Sequence, residues 1–228
     1  MKFLSQMVTA ASGSIGGITY SHNKGGMYQR ARATPTNPGS PFQSQVRQLM
    51  ADLSNAWNNI LSEGQRVTWD VYAFNVPVID SLGQQIQLTG LNMYVRSNVP
   101  RLQAGLARVD TAPLVYNLGS FTEPTATIDT ANDEIDVAFT NTDEWAGETG
   151  SAMLIYASRP QNLSINFFKG PYRFAGLIPG DDTTPPTSPS PEPLPFDVGA
   201  GQRIFWRARV TRLDGRLSAD FRDFANAT

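Results

Sequence analysis

Gln202 to Phe221 reads QRIFWRARVTRLDGRLSADF. Ile204, Trp206, Ala208 and Val210 fall on one side of an extended chain, and Phe205, Arg207, Arg209 and Thr211 fall on the other. A period of two belongs to a β-strand, whose successive side chains point to opposite faces. Leu213, Asp214, Gly215 and Arg216 then turn the chain into a last strand. Upstream, TATID and EIDVAFTN flank the polar turn Thr130–Asp133, with Ile135, Val137 and Phe139 alternating. SAMLIYASRP, from Ser151, has the continuous apolar run of a buried strand, and NFFKGPYRFAGLI, from Asn166, contains another. About seven short strands over roughly 110 residues predict an antiparallel two-sheet β-sandwich across 111–228.

IPGDDTTPPTSPSPEPLP does not fit a compact sandwich, because it places seven prolines between Pro179 and Pro195. It predicts a loop with polyproline character over 179–195. Loops of that length are either functional or solvent-exposed flaps.

The preceding region has helical periodicity. Ser40 suits an N-cap, Pro41 the first helical position, and Gln43 completes an S-x-x-Q capping box. Phe42, Val46, Leu49, Met50, Leu53, Trp57, Ile60 and Leu61 recur at helical spacing, predicting an amphipathic helix over 41–61. A second S-x-x-Q, Ser62 to Gln65, opens a helix over 63–75 that carries Val67, Trp69, Val71, Tyr72 and Phe74. PVIDSLGQQIQLTG reads as a loop with a short strand. A third helix begins after Thr89 and stops near Pro100, with Met93, Tyr94 and Val95 in its packing surface. Residues 41–110 thus form a helical module.

Residues 1–40 read as an extended arm. GITYS and MYQRAR flank HNKGG, and Gly25 and Gly26 can take positive φ, which predicts a β-hairpin at about 17–33. An isolated hairpin is marginal in water, so this one must lean on something outside itself. No acidic residue precedes Asp52. Residues 1–110 carry nine Lys/Arg against five Asp/Glu, and residues 111–228 nine against fifteen, so the halves carry +4 and −6. Tyr20, Lys24, Tyr28, Arg30 and Arg32 are the candidate interface residues. Their basic charges are few and interleaved with apolar residues, which favours docking on an acidic protein surface over nucleic acid.

The 228 residues contain no cysteine, so disulfides and thiolate chemistry are excluded. No apolar run approaches the ~20 residues of a membrane span. MKFLSQMVTAASG lacks the unbroken apolar stretch of a signal peptide, which points to a cytoplasmic origin. Catalysis finds little support. His22 is the one histidine, it sits by the glycine turn, and no identifiable partner accompanies it. SGSIGG lacks the lysine and the preceding strand of a phosphate cradle. Asp129, Asp133, Glu134 and Asp136, or Asp181 and Asp182, place oxygen ligands in turns, but calcium-loop spacing is absent, and neither catalytic nor cofactor nor metal site is assigned.

SGSIGGITYSHNKGGMYQRARATPTNPGSPFQSQVRQLMADLSNAWNNILSEGQRVTWDVYA resembles the N-terminal pattern of a family of uncharacterised tailed-bacteriophage proteins. The pattern is a glycine-rich start, a tyrosine and glycine hairpin, an arginine pair, a P-x-N-P segment and a tryptophan-bearing helix pair. Ser40-Pro41 and Gln43 depart slightly from its commoner threonine-and-glutamine wording. TGLNMYVRSNVPRLQAGL and SRPQNLSINFFKGPYRFAG resemble later blocks, so the likeness covers most of the chain. VTRLDGRLS separately resembles the end of a fibronectin-III-like, immunoglobulin-like sandwich. The resemblance implies a virion structural protein with no catalytic residues.

The expectation is therefore an α+β chain whose arm assembles on neighbours. It would be a multi-copy, non-enzymatic component of a phage head or tail surface, located in the virion, with partners among its own copies and other virion proteins and no membrane role. The rival expectation is a tail adhesin that recognises a host surface through the sandwich and the proline-rich loop.

Overall fold

A computed structural model describes residues 11–33, 39–80, 82–168 and 170–227. Residues 1–10 and 34–38 of the expected arm lie outside that description. The chain is α+β, with three helices and several antiparallel sheets among the described residues. It divides into two compact units, Met1–Val95 and Arg96–Thr228.

In the first unit, β1 (Gly13–Ile15), β2 (Ile18–Asn23) and β3 (Gly26–Ala31) form a three-stranded antiparallel sheet. The expected two-stranded hairpin gains β1 because Gly16, at φ +57, reverses the chain and lets Ile15 pair with Ile18. The turn between β2 and β3 closes with Asn23 opposite Gly26, whose φ is +101.

Helix α1 runs Pro41–Asn59 and α2 runs Glu63–Asn75. At α2 the capping box is complete: Gln65 N–H donates to Ser62 Oγ at 3.3 Å and Ser62 N–H donates to Gln65 Oε1 at 2.9 Å. At α1 only half of it forms. Gln43 N–H reaches Ser40 Oγ at 3.4 Å, while Gln43 Oε1 is buried without a hydrogen-bond partner among the described residues. The loop after α2 holds a two-rung ribbon, β4 (Val78–Ile79) on β5 (Gln85–Ile86), closed by Asp80 Oδ1 accepting from the N–H groups of Leu82 and Gln84.

Helix α3 spans Gly90–Gln103. Its first residue must be glycine: Gly90 N–H donates to Asp70 Oδ1 at 2.9 Å, and a Cβ there would meet Asp70 N at 2.8 Å. Leu53, Ala56, Leu61, Trp69, Tyr72, Met93 and Tyr94 are buried, with Trp69 edge-on to Tyr94 at 5.5 Å between ring centres. Phe42, Met50, Ile60, Val67, Val71 and Phe74, expected at the helical packing surface, are exposed.

The second unit begins inside α3, earlier than the expected boundary after residue 110. The helix also passes the expected stop at Pro100. A proline so near the C-terminus forfeits one backbone bond, and Arg101 offsets that loss. Fully buried, Arg101 donates through Nε to Ala107 O, through Nη1 to Thr211 Oγ1 and Arg212 O, and through Nη2 to Gly150 O, at 2.7 to 3.3 Å. Asn98 adds a reciprocal pair with the backbone of Val109.

Strands β6 (Thr125–Asp129) and β7 (Glu134–Ala138) pair antiparallel, with β11 (Ser190–Pro193) on the other side of β7. A second sheet has the order β10 (Arg173–Pro179), β8 (Ala152–Ala157), β12 (Gln202–Thr211), β13 (Phe221–Asn226), with β9 (Gln161–Asn162) also on β12. One core draws on both sheets: Ile128, Ile135 and Val137 pack with Met153, Ile155, Ile204 and Trp206. The other side of β8 is covered as well, where Leu154 and Tyr156 meet Leu106, Phe174 and Leu177.

Strand β11 is a correction to the loop expected over 179–195. Prolines at 189, 191 and 193 alternate, so every missing N–H lies along one side of the strand. Proline is tolerated on an edge strand when its missing N–H faces away from the partner strand.

Two outcomes follow. Trp206→Ala costs about 3–5 kcal/mol in denaturant unfolding, the range for emptying a fully buried aromatic site. Trp206→Phe costs less, because it also removes an indole N–H that has no partner. A fragment starting at Arg96 melts cooperatively and above one starting at Ala112, which lacks Arg101; equal melting temperatures would remove Arg101 from its tethering role.

Candidate functional site

The arm sheet exposes most of its surface. No described residue from 11 to 33 is buried, and Ile15 is 78% exposed. The strand register sorts the candidate interface residues onto two faces. Thr19 pairs with Arg30 and Ser21 with Tyr28, so Tyr28 and Arg30 share a face. Arg32 N–H bonds to Gly17 O at 2.7 Å, which carries the pairing on and places Arg32 at the same parity. Tyr20 pairs with Gln29 and lies on the opposite face, beside His22. Lys24 sits in the turn and borders a concavity of about 510 Å³ with Pro77, Gln85 and Ile86. The structure therefore brings Tyr28, Arg30 and Arg32 together and separates Tyr20 and Lys24 from them. Among the described residues, Arg30, Arg32 and Lys24 make no ion pair.

A second exposed surface was not assigned from sequence. Helix α2 carries two apolar stripes. Trp69, Tyr72 and Ala73 are buried, and Val67, Val71 and Phe74, at i, i+4 and i+7 on the far side, are 53%, 48% and 66% exposed. The stripe was visible as spacing, but spacing does not tell which of two apolar faces a fold covers.

The remaining candidates have structural roles. His22 lies exposed on β2 opposite Met27. Asp129 accepts from Ala131 N–H and Asn132 Nδ2, which holds its carboxyl below the usual carboxylate range. Asp133 Oδ1 accepts from Val198 N–H at 2.7 Å. Asp181 Oδ1 accepts from the N–H groups of Thr183 and Thr184, and Asp182 Oδ1 accepts from Thr149 Oγ1. Among the described residues no three metal-ligating side chains converge.

The outer face of the larger sheet carries a charged group on the motif that opened the sequence reading. Asp220 meets Arg207 at 3.4 Å and Arg222 at 2.9 Å, and pairs closely with Arg209. Arg207 also lies 4.3 Å above the Tyr156 ring. Burial opposes the charge on Asp220, yet Arg209, Arg222 and Arg207 hold its carboxyl below the ordinary value.

No protein-family model and no curated protein matches this chain. A solved Fn3-like protein from Clostridium thermocellum aligns with 49% of this chain and 96% of its own, at 12% identity and a TM-score of 0.31. A likeness of that extent identifies neither fold nor function.

Asp220→Asn leaves three guanidiniums without their shared carboxylate and costs about 2 kcal/mol at pH 7. The folded-state value of Asp220 lies below the unfolded one. Its stabilisation is therefore present above the unfolded carboxylate range, about pH 4, and is lost as pH falls through the folded value. Urea unfolding at pH 7 and pH 2.5 shows the gap between wild type and variant shrinking in acid; a gap that is constant with pH contradicts the pairing.

Proposed function

We propose that this chain is a non-enzymatic structural protein of a tailed-bacteriophage virion. It acts in many copies, assembles through its N-terminal arm and helices, and forms a head-decoration or other head/tail surface component. The observation that carries the reading is a three-stranded sheet with no buried residue. Such a sheet gains too little from its own packing to offset the ordering of its backbone, so contact with a neighbouring subunit supplies the rest. The open Val67, Val71 and Phe74 stripe supports a second contact area on the same unit. The arrangement of the C-terminal sheets fits an immunoglobulin or fibronectin-III-like sandwich, with one core drawn from both. The resemblance to phage proteins over most of the chain supplies the setting, with copies of itself and other virion proteins as partners.

A tail adhesin is the second reading, favoured by the exposed Asp182–Pro185 and Thr187–Pro189 stretches of the proline-rich segment. Copy number per particle separates the two, being high for a decoration protein and low for an adhesin.

Removing Met1–Ala33 leaves a soluble, folded protein that no longer enters particles or self-associates in light scattering. Replacing Arg30 and Arg32 by Glu weakens assembly more than replacing them by Ala, and added salt weakens the native contact. Equal assembly by truncated and intact chains would sink the arm as an interface; unfolding of the truncated chain would make the arm part of its own core.

A further inference from the structure

At one end of the larger sheet lies an open cleft of about 380 Å³, walled by Phe167, Phe168, Tyr172, Phe205 and Phe224. The rings are pre-arranged. Phe168 stacks on Phe205 at 5.5 Å with 14° between planes, and Tyr172 stands edge-on to Phe168 at 5.3 Å. Phe167 is 78% exposed and Phe224 43%, an unusual concentration of aromatic surface in water. Asn166, Arg222 and Asp223 supply polar groups at the rim. Arg203 lies 4.2 Å above the Phe224 ring, held by Asn226 Oδ1, Asn166 Oδ1 and Ile165 O. Asp220 is one carboxylate shared among Arg207, Arg209 and Arg222, and with Arg203 beside Phe224 the positive charges along this edge outnumber Asp220 and Asp223.

The same unit carries a segment of matching chemistry. Thr183–Pro189 reads TTPPTSP and follows two carboxylates, Asp181 and Asp182. Its ends are fixed by the Asp181 turn and by Phe139 N–H donating to Ser188 Oγ at 2.8 Å, while most of the residues between are exposed. Proline-rich segments dock on aromatic-lined grooves because they are extended before binding and lose little entropy there.

The segment lies away from the cleft of its own chain. It leaves β10 at Pro179, which pairs with Ala152, itself opposite Thr211. The cleft lies at the other end of the sheet, next to the row Arg173, Ala157, Trp206 and Asp223. At about 3.3 Å per residue the two ends are roughly 17 Å apart. We infer that the aromatic cleft of one chain receives the acid-led proline segment, Asp181–Pro189, of a second copy. The contact joins two different surfaces, so it closes as a two-fold dimer when it is reciprocal and extends into a ring or a row when it is head-to-tail. It uses neither the arm nor the α2 stripe and stands independently of the virion reading.

The test is a fluorescently labelled peptide of sequence DDTTPPTSP titrated into the full-length protein, read by anisotropy. Saturable binding is expected. It weakens about fivefold or more with Phe167→Ala or Arg222→Ala, both exposed enough to be replaced without unfolding the sheet. It also weakens in 0.5 M salt, and a peptide with its three prolines replaced by Ala does not bind. In the intact chain, joint Pro185→Ala and Pro186→Ala lowers the mass seen by light scattering. No saturable binding at millimolar peptide overturns the inference, as does binding that Phe167→Ala leaves unchanged. Binding of dextran at the cleft, abolished by Phe167→Ala and unaccompanied by peptide binding, also overturns it and assigns the cleft to a glycan. Because peptide binding needs no assembly, failure of the arm as an interface leaves this result untouched.

Discussion

Strand β12 is the constraint around which the C-terminal unit is arranged. It pairs with β8 and β9 along one edge and with β13 along the other, so its backbone donors and acceptors are committed on both sides. Its Ile204, Trp206, Ala208 and Val210 face enters the core shared with the smaller sheet. Its opposite face carries Phe205, Arg207, Arg209 and Thr211, and burying arginines there requires partners. Asp220 answers Arg207 and Arg209, and Thr211 accepts from Arg101. A single strand thereby dictates where a carboxylate must sit after the last turn and where the end of α3 must arrive.

The same logic extends through the turn that follows. Arg212 donates to Glu148, Glu144 and the Leu118 carbonyl, and Arg216 donates to Asp214 and the Asn117 carbonyl. Arg101, Arg212 and Arg216 together bind irregular segments that have few apolar residues of their own. Guanidinium groups suit this work because each presents several donors in a fixed plane. Removing one would take the guanidinium donor away from the backbone carbonyls it holds. The ordered connections of this unit are held in part by arginine to carbonyl bonds.

The N-terminal unit follows a different economy. Its helices bury a compact set of aromatic rings around Trp69 and Tyr94, yet a second apolar stripe stays exposed and the small sheet has no buried residue. A chain that buries one face well and leaves another open has spent its own packing capacity. That pattern supports assembly as the use of the open surface, and it is the physical ground of the structural role proposed above.

The periodicity of the chain determined its main elements. Residues 202–211 and 134–138 alternate as strands do, 152–157 is a short apolar run of strand length, the two S-x-x-Q sites placed both helix starts, and the tyrosines around a glycine turn marked the arm. These features are local, and local backbone preference and side-chain alternation suffice to read them. Which surfaces meet was decided only in three dimensions. The burial of Arg101 against Thr211 and Gly150, the grip of three arginines on Asp220, and the addition of a proline-rich edge strand to β7 all join residues far apart in sequence. The candidate arm residues were legible as a basic, aromatic cluster. Their division between two faces was not, because it depends on the register that Gly26 and the strand pairing impose. Helix α2 shows the limit plainly: its sequence holds two equivalent apolar stripes, and only packing against α3 selects the one around Trp69.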